Sequence, residues 1–275
     1  MSNEFKIKIL LPSGKYIRLA ELKNKDYQVI LKYCENTDAE GLNDFFDSLV
    51  FSDYKALDII DKFYTLLTLR MMFIDPDLVF TDENNAAVKF SIGNILEKID
   101  HFENDFSKTV SKQEFTLELG LPNIIFFKSV NDIYSSTIRT IKLKDKLIDF
   151  TELSDLEKEN ILANIPNTLF SCINNYITQL SNQLQDFVII EQNQQFNIKE
   201  VNTNIISNEF MSFILAIFST GLQNFFETMY VFTNKLNITG STFYNLSPLD
   251  TRVLINIYNK DINEQNKELQ KQNKM

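Results

Sequence analysis

The 275-residue chain has no tryptophan, one histidine and two cysteines. A structural zinc site is built from several cysteine and histidine ligands, so this composition argues against one. His101 would also have to act as the base of any serine or cysteine triad, and no G-x-S-x-G turn or comparable nucleophile motif accompanies it. We therefore expect no catalytic or metal-binding residue, and we predict that His101, on an acidic segment, lies at the surface.

Glycine is also scarce, with six residues scattered along the chain. They form neither a G-x-G-x-x-G loop nor a Walker loop, the two glycine-rich motifs that cradle phosphate groups. The calcium-binding loop with glycine at its middle is absent as well. These absences predict a protein that binds no cofactor, has no small-molecule substrate and is not an enzyme.

Positive charge is the third scarcity. The chain carries 27 Lys and Arg against 37 Asp and Glu, which gives a net charge of −10 and a pI near 4.8. Binding to nucleic acid requires a surface rich in Lys and Arg to neutralise phosphates, and no dense basic cluster occurs here. We therefore exclude nucleic acid as a partner.

The two cysteines and the apolar segments bear on location. Cys34 and Cys172 lie far apart in helical contexts, which favours two buried free thiols in a reducing compartment, with a disulfide as the alternative. The first residues have neither the basic start nor the apolar core of a signal peptide. The most apolar segment, Phe210–Phe232, is interrupted by polar residues, whereas a membrane-spanning helix needs about 20 mostly apolar ones. We interpret this segment as protein core and expect no membrane span.

What the chain does contain is ordinary for a globular protein, with 44% hydrophobic and 23% charged residues. The patterns of these residues predict an α+β fold that is mainly α-helical, with an N-terminal β-hairpin and small inserted β elements. We expect three regions, which are either separate units or parts of one continuous domain. They are residues 1–75 with the hairpin and helices, 76–150 with mixed β and α elements, and 151–275, a helical unit with an inserted hairpin.

Alternation of apolar and charged residues over 5–11 and a return strand over Tyr16–Leu19 predict the N-terminal hairpin, because Pro12–Lys15 has the composition of a turn. Further elements follow from periodicity, caps and breakers. Helices are predicted after Asn24, after Asp38, over Lys55–Phe73, Asn94–Phe102 and Ile124–Tyr134, after the capping box Ser154–Glu157, and from Asn167. Strands are predicted over Leu78–Thr81, Val88–Ile92 and Phe115–Leu119, and Ile138–Leu143 is predicted to be a strand or an extended link. A second hairpin is predicted from Phe187–Ile190 and Phe196–Ile198.

The C-terminal unit contains two further predicted helices. Apolar residues recur at spacings of three and four throughout Phe210–Phe232, which indicates one helical face. Ser247 and Pro248 form a typical helix start, with a serine cap and proline as the first residue. The expected apolar stripe of this last helix consists of Leu249, Val253, Leu254, Ile257 and Tyr258. The tail 259–275 should extend the helix into solvent and then fray.

Asp58 and Asp61 are the strongest acidic pair, since they are three residues apart on a predicted helix. Such a pair could serve as acid and base in a cleft, but it far more often forms the solvated side of an amphipathic helix. We adopt the second interpretation. A hydrolase that uses Asp58, Asp61 or His101 remains an alternative.

The aromatic stripe of Phe210–Phe232 has two interpretations as well. Core packing is the first, and an exposed patch that contacts a neighbouring protein is the second. Large aromatic side chains supply much of the affinity of protein interfaces. We therefore name Phe225, Phe226 and Tyr230 as candidate partner contacts.

Several short segments carry a resemblance to a known family. They are Leu11–Arg18, Glu21–Tyr27, Ile30–Lys32, Leu57–Arg70, Phe232–Thr239 and Asn245–Arg252. The segments of the opening hairpin and the helices after it, and those of the closing module that starts the last helix, resemble the baseplate hub proteins of T4-like contractile-tailed bacteriophages. One departure is Thr251, which separates Asp250 and Arg252 where the family pattern has an acid next to arginine. Paired cysteines of some relatives are also missing, so a metal-stabilised insert is not implied.

The resemblance implies a structural or assembly protein of the phage tail baseplate. Its partners would be other tail and baseplate proteins, and it would be assembled in the host cytoplasm and retained in the virion. The alternative within the same class is a tail-assembly chaperone that is absent from the mature particle.

Overall fold

The structure is a computed structural model that describes residues 6–49, 57–81, 87–100, 106–112, 114–144, 146–184, 189–190, 201–202, 206, 209–219 and 221–272. Helices dominate these residues, and the strands form small antiparallel sheets. The predicted α+β class is therefore confirmed. His101 lies outside the described residues.

The predicted N-terminal hairpin is confirmed. Strand β1 (Lys6–Leu10) pairs with β2 (Tyr16–Ala20) in an antiparallel register. Gly14 adopts a φ of +80° in the connecting turn, a conformation that glycine reaches without steric cost. Ile17 and Leu19 are buried whereas Arg18 between them is exposed, so one face of the hairpin covers the core.

Three helices follow, as predicted: α1 (Asn24–Glu35), α2 (Ala39–Leu49) and α3 (Ile59–Phe73). Asp38 caps α2, because its side chain accepts a hydrogen bond from the backbone N–H of Gly41 at 2.9 Å. Helix α3 is buried almost all round, since twelve of its fifteen residues are buried. It is the central helix of the fold.

A second ribbon and a helix lie next along the chain. Strand β3 (Asp77–Thr81) pairs antiparallel with β4 (Ala87–Ser91), and α4 (Ile92–Asp100) packs against α3. The two strands confirm the prediction, and the helix begins two residues before its predicted start at Asn94. The predicted turn at 82–85 lies outside the described residues.

The middle of the chain contains a four-stranded antiparallel sheet with the strand order β5 (Lys108–Lys112), β6 (Phe115–Leu119), β7 (Ile138–Leu143) and β8 (Lys146–Asp149). Sequence patterns predicted β6 and β7 but missed the two edge strands. Edge strands are largely exposed and therefore lack a strong apolar alternation.

The helix predicted over Ile124–Tyr134 is confirmed only for its last five residues, and its predicted start is wrong. Residues 120–129 contain no helix, and α5 spans Val130–Thr137, where Ser129 and Asp132 form a capping box. The apolar residues before it pack as an irregular segment, in which Ile125 and Phe127 are buried. Apolar spacing indicated burial correctly here but not the backbone conformation.

Helices α6 (Asp155–Asn164) and α7 (Asn167–Leu184) confirm both predicted starts. The backbone N–H of Ser154 donates to Glu157 at 2.9 Å, as expected for the capping box. Two short strands, β9 (Ile189–Ile190) and β10 (Val201–Asn202), then pair antiparallel. The second arm of the predicted hairpin, Phe196–Ile198, lies outside the described residues.

The apolar segment predicted as one helix over Phe210–Phe232 consists of two, which corrects the prediction. They are α8 (Glu209–Phe218) and α9 (Leu222–Asn234). Gly221 separates them with a φ of +83°, outside the helical region. Within the described residues, no helix is long and apolar enough to cross a bilayer.

The chain ends with a short helix, α10 (Gly240–Asn245), and a long one, α11 (Pro248–Gln272). Ser247 caps α11, since its hydroxyl accepts from the N–H of Asp250 at 3.1 Å, which confirms the predicted start. Asn24 links the start of α1 to both helices, with bonds of 2.9 Å to the Phe243 carbonyl and 2.7 Å to the Thr251 hydroxyl. The start of α1 is therefore held against α10 and the first turn of α11.

Buried hydrophobic residues from all of these regions form one cluster. Aromatic contacts join its N-terminal and C-terminal parts. The ring centroids of Phe63 on α3 and Phe210 on α8 are 5.2 Å apart, and those of Phe46 on α2 and Phe218 on α8 are 5.0 Å apart. Edge-to-face and tilted geometries of this kind add to the stabilisation from burial.

Candidate functional site

Asp58 and Asp61, the acidic pair of the sequence analysis, line a cavity of about 660 Å³. It lies between the β1–β2 turn, the start of α3 and the segment after β6. Charged side chains of both signs line it. They are Lys15, Asp58, Asp61, Lys108, Glu118 and Arg139.

Asp58 is the N-cap of α3. Its Oδ1 accepts hydrogen bonds from the backbone N–H groups of Ile60 at 3.0 Å and Asp61 at 2.9 Å. Burial and the charge of Asp61 nevertheless raise the pKa of the Asp58 carboxyl above its ordinary value. Asp58 therefore has a structural role that needs no substrate to explain it.

Asp61 is 1% exposed, so the prediction that the pair forms a solvated helix side is wrong. Its two oxygens accept from the backbone N–H of Ser13 at 3.1 Å and from the Ser13 hydroxyl at 2.5 Å. These bonds join the hairpin turn to α3. The turn covers this end of the helix, and that is why the carboxylate is buried.

Arg139, on β7, is a cationic residue of the same cavity and interacts electrostatically with Asp58. It donates to the carbonyls of Ser136 at 3.1 Å and Leu121, and its charge attracts Asp58. Burial lowers the pKa of the guanidinium. Arg139 on the sheet and Asp58 at the start of α3 therefore attract each other, while each of the two carboxylates accepts hydrogen bonds from other groups of the protein.

The three aromatic residues predicted as partner contacts all lie on α9, but they differ in exposure. Phe226 is 39% exposed and Tyr230 is 60% exposed, and their spacing of four residues places them on one face of the helix. We call these two side chains the α9 patch. Such exposed aromatic groups are typical of protein–protein interfaces.

Phe225 lies beneath the patch instead of within it, with 7% of its surface exposed. Its ring packs against three other aromatic rings, with centroid distances of 6.3 Å to Tyr27, 5.4 Å to Phe243 and 5.7 Å to Phe226. Phe225 therefore anchors α9 to α1 and α10 and fixes the orientation of the exposed ring next to it.

The apolar stripe predicted for α11 is wrong in part. Val253 is 49% and Ile257 is 53% exposed, whereas Thr251 is buried. Two residues correspond to a rotation of about 200° around a helix, so Val253 lies opposite Thr251. The polar Thr251 faces the protein because its hydroxyl accepts the bond from Asn24.

Arg70, near the end of α3, is a residue whose environment the sequence did not indicate. It is 4% exposed and lines a second cavity of about 640 Å³. The signal that was available is its position within the apolar run Leu66–Phe73, which has no polar face on which an arginine could reach water.

Both cysteines are free thiols, as favoured by the sequence, and each is partly exposed. Burial raises the pKa of the Cys34 thiol to about 12. Among the described residues, no cluster of histidine, cysteine and acidic side chains could hold a metal ion.

Together these features define a class of protein. It is a mainly helical α+β protein in which small antiparallel ribbons surround a buried central helix, and in which aromatic and aliphatic side chains are exposed on α9 and α11. Binding of a neighbouring protein that covers exposed apolar groups of this kind lowers the free energy.

The family follows from comparison with known proteins. The sequence model of the T4 bacteriophage base plate protein family matches residues 2–188. The chain belongs to this family. It is a structural protein of the phage baseplate, and its partners are other proteins of the phage tail. No curated protein and no solved structure matches the chain.

Proposed function

We propose that the chain is a non-enzymatic component of the baseplate hub of a T4-like, contractile-tailed phage and that it is retained in the mature virion. The observation that carries the proposal is the family match over residues 2–188. The hub assignment is supported by the resemblance of the opening hairpin, the segment Leu57–Arg70 and the closing segment Asn245–Arg252 to hub proteins. The chain would act by occupying a fixed place among its neighbours.

The α9 patch is the proposed contact surface. Phe226 and Tyr230 are rigid, amphipathic side chains that lose little conformational freedom when a partner covers them, and aromatic residues are enriched among interface hot spots. Phe225 would contribute indirectly, because its packing against Phe243 and Tyr27 holds the patch in place. An interface of this kind requires no conformational change of the chain.

Mass spectrometry of purified phage particles tests retention in the virion. The proposal expects the chain at a fixed, stoichiometric copy number relative to other baseplate proteins. Its absence from mature particles, together with its presence in infected cells, would favour the alternative of a tail-assembly chaperone.

A complementation experiment tests the contact surface. A phage that lacks the gene is grown in cells that supply either the wild-type chain or the double variant Phe226→Ser, Tyr230→Ser. We expect fewer infectious particles from the double variant, while its melting temperature stays close to that of the wild type because both side chains are exposed. Glu227→Ser on the same helix is the matched control, and equal losses from both variants would contradict a specific role for the aromatic pair.

The alternative of a hydrolase is tested by the triple variant Asp58→Asn, Asp61→Asn, His101→Gln. Both aspartates have structural hydrogen bonds, so asparagine is preferred over alanine as a replacement that preserves shape. The proposal expects infectious particles from this variant if it folds with a near-native circular dichroism spectrum. A folded variant that yields intact but non-infectious particles would support catalysis.

A further inference from the structure

The second cavity, of about 640 Å³, lies between the ends of several elements that are distant in the sequence. Its wall combines the end of α3, the start of β3, the end of α8 and the first turns of α9 and α11. The charged residues that line it are Arg70, Asp75, Asp77 and Arg252. Pockets of this size accommodate ligands or side chains of a partner.

Arg70 is the unusual group in this cavity. Its side chain is almost fully buried, and the Nε and Nη1 atoms have no hydrogen-bond acceptor among the described residues. Within the part of the chain that the structure describes, its guanidinium makes one hydrogen bond, from Nη2 to the Asp77 carbonyl at 3.3 Å. A buried polar group without a partner costs free energy, and a guanidinium remains protonated at neutral pH, so the charge of Arg70 is poorly compensated.

The two carboxylates nearby are engaged elsewhere. Asp75 forms an ion pair with Arg252, and Asp77 forms one with Lys89 at 2.6 Å. Neither carboxylate makes a hydrogen bond to Arg70. The Nε and Nη1 atoms of Arg70 therefore lack an acceptor, but each has less than 1 Å² of accessible surface, so an acceptor in the cavity reaches them only after the Arg70 side chain rotates toward it.

We propose that this cavity binds a carboxylate group, which accepts hydrogen bonds from the Arg70 guanidinium. Guanidinium and carboxylate groups match in geometry and form strong, charge-assisted bonds. Asn224 and Pro248 belong to the first turns of α9 and α11, so the positive ends of two helix dipoles border the same cavity and also favour an anion.

The charges of the wall favour a monoanion over a phosphate. Two cationic and two acidic side chains line the cavity, so a dianion would be repelled by Asp75 and Asp77 more strongly than a carboxylate would. The apolar part of the wall, formed by Ile74, Leu78 and Ile217, suits the aliphatic stem of an acidic side chain or of a short-chain acid.

The carboxylate can come from a free short-chain acid or from an acidic side chain of a neighbouring tail protein. The second source rests on the proposed function, whereas the first does not. The binding measurement below uses the isolated full-length chain, so its result is independent of whether the chain is retained in virions.

The four arginines of the chain allow an internally controlled test by NMR. The Nε–H resonances of the labelled chain are assigned with single Arg→Lys variants and followed during titration with sodium propionate, with sodium chloride and inorganic phosphate as comparison salts at equal ionic strength. We expect a saturable shift of the Arg70 resonance with propionate only. Arg139, which is buried but donates to two carbonyls, is the matched control and should not move, and neither should the exposed Arg18 beyond its response to chloride.

The variant Arg70→Lys keeps the charge but loses the planar fork of donors. We expect its propionate affinity, measured by the shift of neighbouring amide resonances, to fall about tenfold. If this variant does not fold, the wild-type titration still decides the question through the comparison of Arg70 with Arg139. An Arg70 resonance that does not move, or that moves equally with chloride or more with phosphate, overturns the proposal.

Incorporation into phage particles distinguishes the two sources of the carboxylate. Reduced incorporation of Arg70→Lys, with normal incorporation of Arg18→Lys, indicates an acidic side chain of a neighbouring tail protein. Normal incorporation of both variants, with a positive titration, indicates a free acid. Absence of the wild-type chain from particles would contradict the proposed function and leave the titration unaffected.

Discussion

Helices α3 and α11 differ in which of their residues are buried: α3 buries charged side chains, whereas α11 exposes apolar ones. Helix α3 contains Asp61, Lys62 and Arg70, yet all three are buried. Helix α11 contains the apolar Val253 and Ile257, yet both are about half exposed, and every residue from 259 to 271 is exposed. The two helices are in contact with each other, so Val253 and Ile257 are exposed although the first turns of α11 reach the body of the protein.

The difference arises from what surrounds each helix. The hairpin turn reaches α3 through Ser13, α8 packs on it through Phe210, and the segment after β6 bonds to its first turn, where the N–H of Ile59 donates to the Pro122 carbonyl at 2.7 Å. Helix α11 touches the body only near its start. A charged residue can therefore be buried when its hydrogen bonds come from other elements, and an apolar residue remains exposed when no element covers it.

The largest expected effect is at the centre of α3. Phe63 is fully buried and packs against Phe210 and Phe213, so Phe63→Ala should lower the free energy of unfolding by about 3–5 kcal/mol. A urea melt monitored by circular dichroism measures this. Ile257→Ala on α11 is the control and should change stability by no more than about 0.5 kcal/mol. Similar losses from the two variants would remove the contrast between the helices.

The next effect concerns the buried carboxylate of α3. Asp61→Ala removes the two hydrogen bonds from Ser13, and we expect a loss of about 1–3 kcal/mol. The double variant with Ser13→Ala completes a thermodynamic cycle that isolates the coupling between the side chains. Because the Ser13 hydroxyl bonds directly to Asp61, the two losses should not add. Additive losses would mean that the turn does not depend on this contact.

Much of the fold could be predicted from the sequence because local signals were strong. The first hairpin, the capping boxes and the stripe of α7 each combine apolar periodicity with a suitable turn or cap residue. The burial of Asp61 was not predicted, because two acids three residues apart are also typical of the solvated side of a helix. Apart from Asp61, Lys62 and Arg70, the positions of α3 are apolar, aromatic or threonine, which is typical of a helix without a solvated face.

Other features depended on contacts that a single sequence does not reveal. Gly221 interrupts an apolar spacing that continues across it, so α8 and α9 were predicted as one helix. The orientation of α11 is set by the bond between Asn24 and Thr251, which are 227 residues apart. Of the candidate contact residues, Phe226 and Tyr230 are exposed, whereas Phe225 is covered by rings from α1 and α10.

A smaller effect is expected at the start of α11. Ser247→Ala removes the hydroxyl that accepts from the N–H of Asp250, and the loss of this cap should cost about 1 kcal/mol in a denaturant melt. Ser154→Ala at α6 is a matched control, because its cap is exposed and water can replace the lost bond. The buried cap of α11 should therefore show the larger loss. A change within error at Ser247 would mean that α11 is held by its packing and not by its cap.

The smallest effect is a change in the pH dependence of stability at the start of α3. Burial raises the pKa of Asp58 above its ordinary value of 3.8, so the folded chain binds this proton more tightly than the unfolded chain does. Stability from this group is therefore lost as the pH rises from about 3.8 through the raised pKa. Asp58→Asn keeps a capping side chain but cannot titrate, so its free energy of unfolding should fall less over that interval. Urea melts at several pH values measure the difference between the two chains; a difference that does not change with pH, or that grows in favour of the wild type as the pH rises, would contradict the burial of this carboxyl.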